Sequence, residues 1–443
     1  MRRLLSVAAA LLLSIGWLRA RTAEACGACF SPPPSASMIA QIVTGHRMVM
    51  SIDTNESVLW DQFQYAGNPQ EFSWVLPVSG DVRLEIASDA FFDQLERVTT
   101  PTVSSPTVRW ICPGGGASGG PGCSCGFGGS PTSLNDAGGG NPADQHETVT
   151  IVSQQVVGPY ASVVLRSTDA NALTNWLRAN GYSVPLAAEP TIAFYNSLHM
   201  DFLALRLRSG QGTQAMQPVR VRFRGMQSVL PLRMVGIGVG DSVAITLWVF
   251  ARGRTEPANF ASVAIDPRDL VWDFTARRSN YNDVFAVTLR GAEGGRAWIT
   301  EYTNPYPFAY SGRMPPIDAG IAPGDGGVPT AELDWGIATA GWQRDVWVTR
   351  IRTNLDARFL DADLQLRAAT NSRQITTALR PGRWRGQPPQ ALCAGGSTIV
   401  DGVRVAQLPQ RPRRQSRPIG LAFGLGVPLL FSYREWRRTR RRV

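Results

Sequence analysis

The sequence predicts an α+β protein that is rich in β-strand, with mainly antiparallel sheets and a few packed helices. Within residues 46–86, runs of alternating apolar and polar residues are separated by turn residues such as Gly67-Asn68-Pro69, which is typical of strands. Between Phe202 and Phe250, four further runs are separated by glycine-containing turns. At two places, residues 81–98 and 161–181, a strand pattern leads into an amphipathic helix pattern.

Residues 46–98 predict four strands and one helix. The strands are expected at His46–Asp53, Ser57–Ala66, Phe72–Val78 and Asp81–Ile86, and the first three would form a meander. Ser88 is placed to cap a helix at 89–98. Its apolar side consists of Phe91, Phe92, Leu95 and Val98.

The second stretch repeats this order. Val163 and Leu165 belong to an alternating strand, and a helix at 169–180 follows, stopped by Gly181. The helix carries Leu173, Trp176 and Leu177 on one face, which is a core pattern. With the echo of VLPV at 75–78 in VLPL at 229–232, the repeated order suggests an internal duplication.

Later elements and boundaries are less marked. A helix is expected at Asn282–Leu289 and strands at Ala297–Tyr302, Asp345–Arg352 and Ala362–Arg367. The predicted organisation is a signal peptide (1–25), a first β-rich unit (26–112), a flexible Gly-rich insert (113–145), a second strand-helix-strand unit (146–302), a Pro/Gly-rich linker or loop (303–330), C-terminal strands and tail (331–410), and an Arg-flanked apolar anchor (411–443).

The charge lies at the ends of the chain. The net charge is +10 over 443 residues, but residues 1–25 carry +3, residues 411–443 carry +9 and residues 26–410 carry −2. A near-neutral body argues against a phosphate-binding surface, so no nucleic-acid partner is expected. All 44 basic residues are arginine. Without lysine, a Walker A loop, a Schiff-base enzyme and a Ser-x-x-Lys hydrolase are excluded.

The N-terminus has the pattern of a secretory signal. Arg2 and Arg3 precede the apolar Leu4–Leu18, and cleavage is expected between Ala25 and Cys26. Lipidation of the new N-terminal cysteine is a less favoured alternative, because the preceding residues match a lipobox poorly. An uncleaved anchor is disfavoured by the short apolar region.

The C-terminus predicts a membrane anchor. Ile419–Tyr433 is a run of 15 residues without charge, placed between Arg417 and Arg434. As a helix it would span about 22 Å, and snorkelling arginines would make up the difference from a hydrocarbon core of roughly 30 Å. A sorting signal that is later removed and a buried core helix are the alternatives. An exported protein held at the cell membrane or envelope is expected.

Cysteine is the sharpest chemical signal. Cys26 and Cys29 have C-x-x-C spacing, but Phe30, Ser31 and three prolines follow where a redox dithiol needs a helix N-terminus. Structural disulfides are therefore favoured over redox catalysis or a zinc-thiolate site, and no metal or other cofactor is expected. The disulfide candidates are Cys26, Cys29, Cys112, Cys123, Cys125 and Cys393.

Histidine and acidic residues give weaker signals. The sequence has three histidines and lacks H-E-x-x-H and G-x-S-x-G, so metalloprotease and serine-hydrolase signatures are missing. His46 and His199 are expected at strand edges as polar residues with satisfied hydrogen bonds, and His146 borders the insert. A hydrolase built on scattered acids remains a hypothesis, with Asp53, Asp61, Glu71 and Asp201 as its candidates.

Four long, ordered segments carry a family resemblance. They are ACGACF at the mature start, RMVMSIDTNESVLWDQFQYAGNPQEFSWVLPV, QQVVGPYASVVLRSTDANALTNWLRANGY, and QAMQPVRVRF followed by VLPLRMV. Over most of residues 25–300, and again at 346–368, the chain resembles the bacterial family called domain of unknown function 2330. The resemblance implies a secreted or membrane-anchored protein and supplies no catalytic residue.

These observations favour a non-enzymatic envelope protein with a membrane-anchored ectodomain that offers a binding or scaffold surface. Its partners would be the membrane, through the anchor, and an unidentified protein or envelope ligand. The alternative is a thiol-disulfide or metal-thiolate protein that uses Cys26 and Cys29.

Overall fold

The computed structural model describes residues 42–66, 73–111, 149–169, 171–180, 186–211, 215–237, 241–306, 330–339, 346–390 and 396–405. These residues divide into two compact units. The second unit contains the described residues 108–111, 389–390 and 396–405, and the first contains all the others.

Six α-helices and 23 strands are described. The helices are α1 (Asp89–Thr99), α2 (Ala172–Ala179), α3 (Glu189–Ser197), α4 (Leu232–Val235), α5 (Tyr281–Gly291) and α6 (Ala331–Thr339). The strands are β1 (Ile42–Ser51), β2 (Glu56–Ala66), β3 (Ser73–Val78), β4 (Val82–Ile86), β5 (Thr102–Val103), β6 (Val108–Ile111), β7 (Val149–Val157), β8 (Tyr160–Ser167), β9 (Asp201–Leu207), β10 (Val219–Arg224), β11 (Val229–Leu230), β12 (Ser242–Arg252), β13 (Thr255–Pro257), β14 (Ala261–Val263), β15 (Val271–Asp273), β16 (Arg278–Ser279), β17 (Ala297–Pro305), β18 (Val346–Asp356), β19 (Leu364–Ala368), β20 (Ala378–Leu379), β21 (Arg383–Arg385), β22 (Ser397–Val400) and β23 (Val403–Val405).

An eight-stranded sheet forms the centre of the first unit, in the order β14-β17-β18-β12-β1-β2-β10-β4. Its neighbours are antiparallel except at β1–β12 and β14–β17. A four-stranded antiparallel sheet has the order β3-β9-β8-β7. The predicted class, a β-rich α+β fold with mainly antiparallel sheets, is therefore confirmed.

Side chains of the large sheet alternate between two apolar clusters. Met48 and Met50 of β1 lie in one cluster and Val49 in the other, as the two-residue period of a strand requires. The first cluster continues into the four-stranded sheet and helices α2 and α3. The second includes α1 and α6. The large sheet thus has an apolar cluster on each face, which explains the nearly continuous apolar run of β12, SVAITLWVFAR.

Helix α1 forms where its local sequence predicts. Ser88 accepts a hydrogen bond from Ala90 N at 3.2 Å and caps the first turn, while Phe91, Phe92 and Leu95 are buried. The predicted helices at 169–180 and Asn282–Leu289 correspond to α2 and α5.

A buried carboxylate ties α6 to the sheet and to α1. Asp334 accepts hydrogen bonds from Trp60 Nε1 at 2.8 Å, from Arg220 Nη1 at 2.7 Å and from Ser88 N at 2.7 Å. Its side chain is 0 % exposed. Because the three donors come from β2, β10 and the cap of α1, this one residue fixes the contact of α6 with three elements.

Two predicted elements differ in the structure. β3 does not continue a meander after β1 and β2, because it pairs with β9 in the smaller sheet. The VLPL run holds only the two-residue strand β11, and the chain then turns into α4. Strands of the predicted first β-rich unit (26–112) and of the predicted second unit (146–302) share the large sheet, since β10 and β12 lie beside β2 and β1.

The second unit contains a three-stranded antiparallel sheet in the order β23-β22-β6. Within it, Trp110 Nε1 donates to the Pro389 carbonyl at 3.2 Å. The whole of the predicted insert at 113–145, and the greater part of the linker at 303–330, lie outside the described residues.

Candidate functional site

A cavity lies where β10 separates from β2. The two strands pair from Glu56↔Arg224 to Asp61↔Val219, and the next residues of β2 have no β10 partner. The space left beside them has a volume of about 160 Å³. We call it the Tyr160 cavity, lined by Gln62, Phe63, Asp89, Tyr160, Met216, Gln217 and Pro218.

Tyr160 contributes a buried phenol to the lining of the Tyr160 cavity. Tyr160 is 0 % exposed, and its hydroxyl donates to the Gln217 carbonyl at 2.7 Å and accepts from Gln217 N at 3.0 Å. Burial raises the pKa of Tyr160 above its usual range; the hydrogen bond to Gln217 opposes this, and the carboxylates of Asp89 and Asp61 add to the increase. The phenol is therefore neutral at ordinary pH and positions the 216–218 segment.

The mouth of the cavity carries its one formal charge. Asp89 is exposed at the start of α1, and Gln62 Nε2 donates to its Oδ1. Arg47 Nε donates to Gln62 Oε1 at 2.5 Å, and the Arg47 guanidinium also bonds Asp93 at 3.3 Å. Asp89 is thus joined to Arg47 only through an amide, and its second carboxylate oxygen gives the cavity a negative, hydrogen-bond-accepting wall.

A buried histidine–aspartate pair lies beside the cavity. His46 Nδ1 is 3.1 Å and 3.2 Å from the two oxygens of Asp61, and the side chains are 0 % and 1 % exposed. Burial raises the pKa of Asp61, and His46 opposes the increase. Among the described residues, His46 Nε2 has no hydrogen-bond partner. The prediction that His46 is a satisfied residue at a strand edge is therefore wrong: β1 is an interior strand, between β12 and β2.

The pair has the form of a general base but is closed off by an aromatic ring. A carboxylate that orients one histidine nitrogen and leaves the other free is the arrangement of a catalytic dyad. Here the ring of Phe63 packs edge-on against His46 with centroids 5.8 Å apart, and Phe63 itself lines the Tyr160 cavity. His46 itself is not among the residues that line the cavity.

The acids that could have formed a hydrolase site have separate partners. Asp53 accepts from Asn55 N at 2.8 Å in a turn, and Asp201 binds Arg166 through two hydrogen bonds of 2.9 Å and 2.7 Å. Asp61 pairs with His46. The described candidates therefore serve a turn, an ion pair and a buried dyad, and do not converge on one cleft.

A comparison with protein-family models decides the family. Residues 21–367 match the model of a family described as an uncharacterised protein conserved in bacteria, domain of unknown function 2330. The chain belongs to this family. The search of curated proteins and the search of solved structures found no match.

In this member of the domain of unknown function 2330 family, several predicted sites lie outside the described residues. They are the six disulfide candidates Cys26, Cys29, Cys112, Cys123, Cys125 and Cys393, the cleavage pair Ala25 and Cys26, the anchor from Ile419 to Tyr433, and also Glu71 and His146. In the described ranges, no helix is long and apolar enough to cross a membrane. Across those same ranges, no three histidine, cysteine or acidic side chains are grouped to hold a metal.

Sequence reasoning missed the cavity residues. Tyr160, Gln62 and Gln217 belong to no motif, and they meet only because β8, β2 and the segment before β10 converge. Asp89 carried one signal, as an acid in the first turn of a helix. His199, expected at a strand edge, lies just before β9 in a turn with φ of 57°.

Proposed function

We propose that this protein is a non-enzymatic extracytoplasmic envelope protein, a membrane-anchored ectodomain that binds a small hydrogen-bond-donating group in the Tyr160 cavity. The observation that carries the proposal is the geometry of the cavity. Its exposed wall carries the Asp89 carboxylate, while the imidazole of the neighbouring His46–Asp61 pair is buried and packs against Phe63.

The chemistry of the lining selects the ligand class. Asp89 is the charged residue among those that line the cavity, and its carboxylate is exposed there. A volume of about 160 Å³ accommodates a terminal group and not a whole drug-sized molecule. A primary ammonium or guanidinium group on a short stem fits these conditions, as a free compound or as the side chain of a partner.

The burial of the His46–Asp61 pair favours ligand binding without chemical conversion of the ligand. A general base must come within hydrogen-bond reach of the proton that it removes. His46 is 2 % exposed and Phe63 packs on it. A ligand in the cavity would meet the Phe63 ring and not the imidazole.

Location is supported by the sequence. The n-region, apolar region and A-x-A site of residues 1–25 support export, and the uncharged run at 419–433 with its arginine flanks supports anchoring. Residues 434–443 would remain on the cytoplasmic side.

The binding proposal is tested with methylguanidinium, and with N-methylurea as its neutral analogue. Methylguanidinium should raise the thermal midpoint of the wild-type protein, as a ligand of the native state does, and N-methylurea should not. Asp89→Asn should abolish the shift. Asp93→Asn, one turn further along α1 and outside the lining, should retain it.

Two results would contradict the proposal. An equal shift in wild type and Asp89→Asn would show that the cavity is not the site. Chemical conversion of a bound amine, detected by NMR and lost in His46→Gln, would identify an enzyme.

The thiol alternative rests on Cys26 and Cys29. Thiol quantification and metal analysis of the same protein test it, because two free thiols with bound zinc would favour the metal-thiolate function.

A further inference from the structure

A small sheet gathers arginines from two distant parts of the chain. β15 pairs with β16 through Asp273↔Arg278, and with β21 through Val271↔Arg383 and Asp273↔Arg385. Directly paired residues point to the same side of a sheet, and alternate residues of a strand share a side. Arg278, Arg383 and Arg385 therefore lie on one face, which we call the arginine face.

Most of the positive charge on this face is uncompensated. Arg385 Nε donates to Asp273 Oδ2 at 2.8 Å. The other oxygen of Asp273 accepts from Thr275 N and Ala276 N at 2.8 Å and 2.9 Å, and these backbone bonds help to lower the pKa of Asp273. Arg278 and Arg383 are exposed, and no acidic side chain in the described ranges forms an ion pair with either. The one acid on the face is thus already occupied.

The surroundings add to the charge. Residues 266–280 and 371–386 contain seven arginines and three aspartates, a local net charge of +4. The near-neutral net charge of residues 26–410 does not reveal this local excess of positive charge, because the two segments are separated by about 90 residues of chain.

The face is held firmly in place. Gly382 N donates to the Pro267 carbonyl at 3.0 Å, and Arg383 N donates to the Leu270 carbonyl at 3.3 Å. A side chain at Gly382 would stand 2.7 Å from the Arg268 Cα atom. β21 is therefore packed against the backbone of the 267–270 turn, and its arginines extend from a fixed base.

The geometry points to anionic phospholipid headgroups as the ligand of the arginine face, and we propose that this face docks on the membrane surface. Guanidinium groups bind phosphate through two parallel hydrogen bonds, and the paired strands present them on one face of a small sheet. Exposed arginines on one face suit a planar anionic surface better than an extended acidic peptide, which needs a groove. The inference rests on the proposed function in one respect: the anchor would keep a membrane within reach.

The test uses the full chain in bilayers of phosphatidylcholine alone or mixed with phosphatidylglycerol. Phenylglyoxal modification, mapped by mass spectrometry, reports the accessibility of each arginine. Arg278 and Arg383 should be protected about fivefold or more in the phosphatidylglycerol bilayer, the factor expected for one arginine near an anionic surface. Protection should disappear at about 1 M salt. Arg290, exposed on α5, is the internal reference and should react equally in both bilayers.

A variant separates this inference from the anchor. If the chain inserts into neither bilayer, the anchor is refuted, and the arginine face is then tested by flotation with vesicles. Wild type and the control Arg290→Gln should float with phosphatidylglycerol vesicles, and Arg278→Gln/Arg383→Gln should not. Equal modification of Arg278 and Arg383 in both bilayers would overturn the inference. So would protection by a soluble acidic polysaccharide without protection by phosphatidylglycerol.

Discussion

Replacing Asp334 with alanine should destabilise the protein by about 3–5 kcal/mol, the usual effect of removing one partner of a buried ion pair. The carboxylate is 0 % exposed and accepts from three donors, Trp60 Nε1, Arg220 Nη1 and Ser88 N. Alanine would leave the indole and the backbone N–H without acceptors, at about 1–3 kcal/mol for each buried orphan. Arg220 would keep its ion pair with Glu85, at 2.5 Å, but would lose its second carboxylate partner.

The assay is urea unfolding followed by tryptophan fluorescence, with the change in free energy taken from the midpoint at constant slope. Glu332→Ala in the same helix is the matched control. Glu332 is half-buried, and no described hydrogen bond or ion pair of its side chain is seen, so its loss should change the free energy of unfolding by less than about 1 kcal/mol.

A double-mutant cycle isolates the ion pair. Once Arg220→Met has removed the cation, Asp334→Ala should be less destabilising by about 1–3 kcal/mol than in wild type. The reasoning is refuted if Asp334→Ala and Glu332→Ala have equal effects, or if the two changes at 220 and 334 are simply additive.

Two further predictions concern close packing and pH. Gly382→Ala should destabilise by about 1–3 kcal/mol, because its Cβ would lie 2.7 Å from the backbone Cα of Arg268; Gly336→Ala, with no atom within 4 Å, should instead stabilise by up to about 1 kcal/mol, and equal thermal midpoints for the two variants would contradict this. Burial tends to raise the pKa of Glu96, but Arg350 and Thr100 outweigh it and hold the pKa below the ordinary 4.5. A lowered folded-state pKa contributes stability above pH 4.5 that is lost as the pH falls through the folded value. The stability difference between wild type and Glu96→Gln should therefore shrink on acidification below that pH, and a difference that stays constant or grows would be the contrary result.

Elements whose causes are local could be predicted from the sequence. Helix α1 depends on a cap at Ser88 and on an apolar stripe along the helix that follows. Both can be read from neighbouring residues of the sequence. The antiparallel pairing of β1 with β2 is equally local, because a short turn joins the two strands.

Pairings set over long distances could not be predicted. β3 has the same apolar–polar alternation as β1 and β2, yet its partner β9 lies more than 120 residues away. The alternation predicts a strand but does not identify the strand with which it pairs. His46 is an interior residue because β12, about 200 residues later, covers the other edge of β1. The Tyr160 cavity depends on where β10 stops pairing with β2, which is a property of register and not of any motif.

The positive charge of the arginine face also could not be predicted from the sequence. A total over residues 26–410 cannot reveal that Arg278 and Arg383 become neighbours of one strand, β15. Charge totals for segments of sequence therefore exclude a uniformly basic body but not a basic face that the fold assembles.

Carbonate extraction of membranes, combined with intact mass, tests the central claim most directly. The full chain, cleaved after Ala25, should remain in the carbonate-resistant membrane fraction with its C-terminus at Val443. A chain that stops at Gln410 should be exported and soluble, because it lacks the uncharged run at 419–433. Full-length protein recovered entirely in the soluble fraction, with Val443 still present by mass, would contradict the membrane-anchored ectodomain.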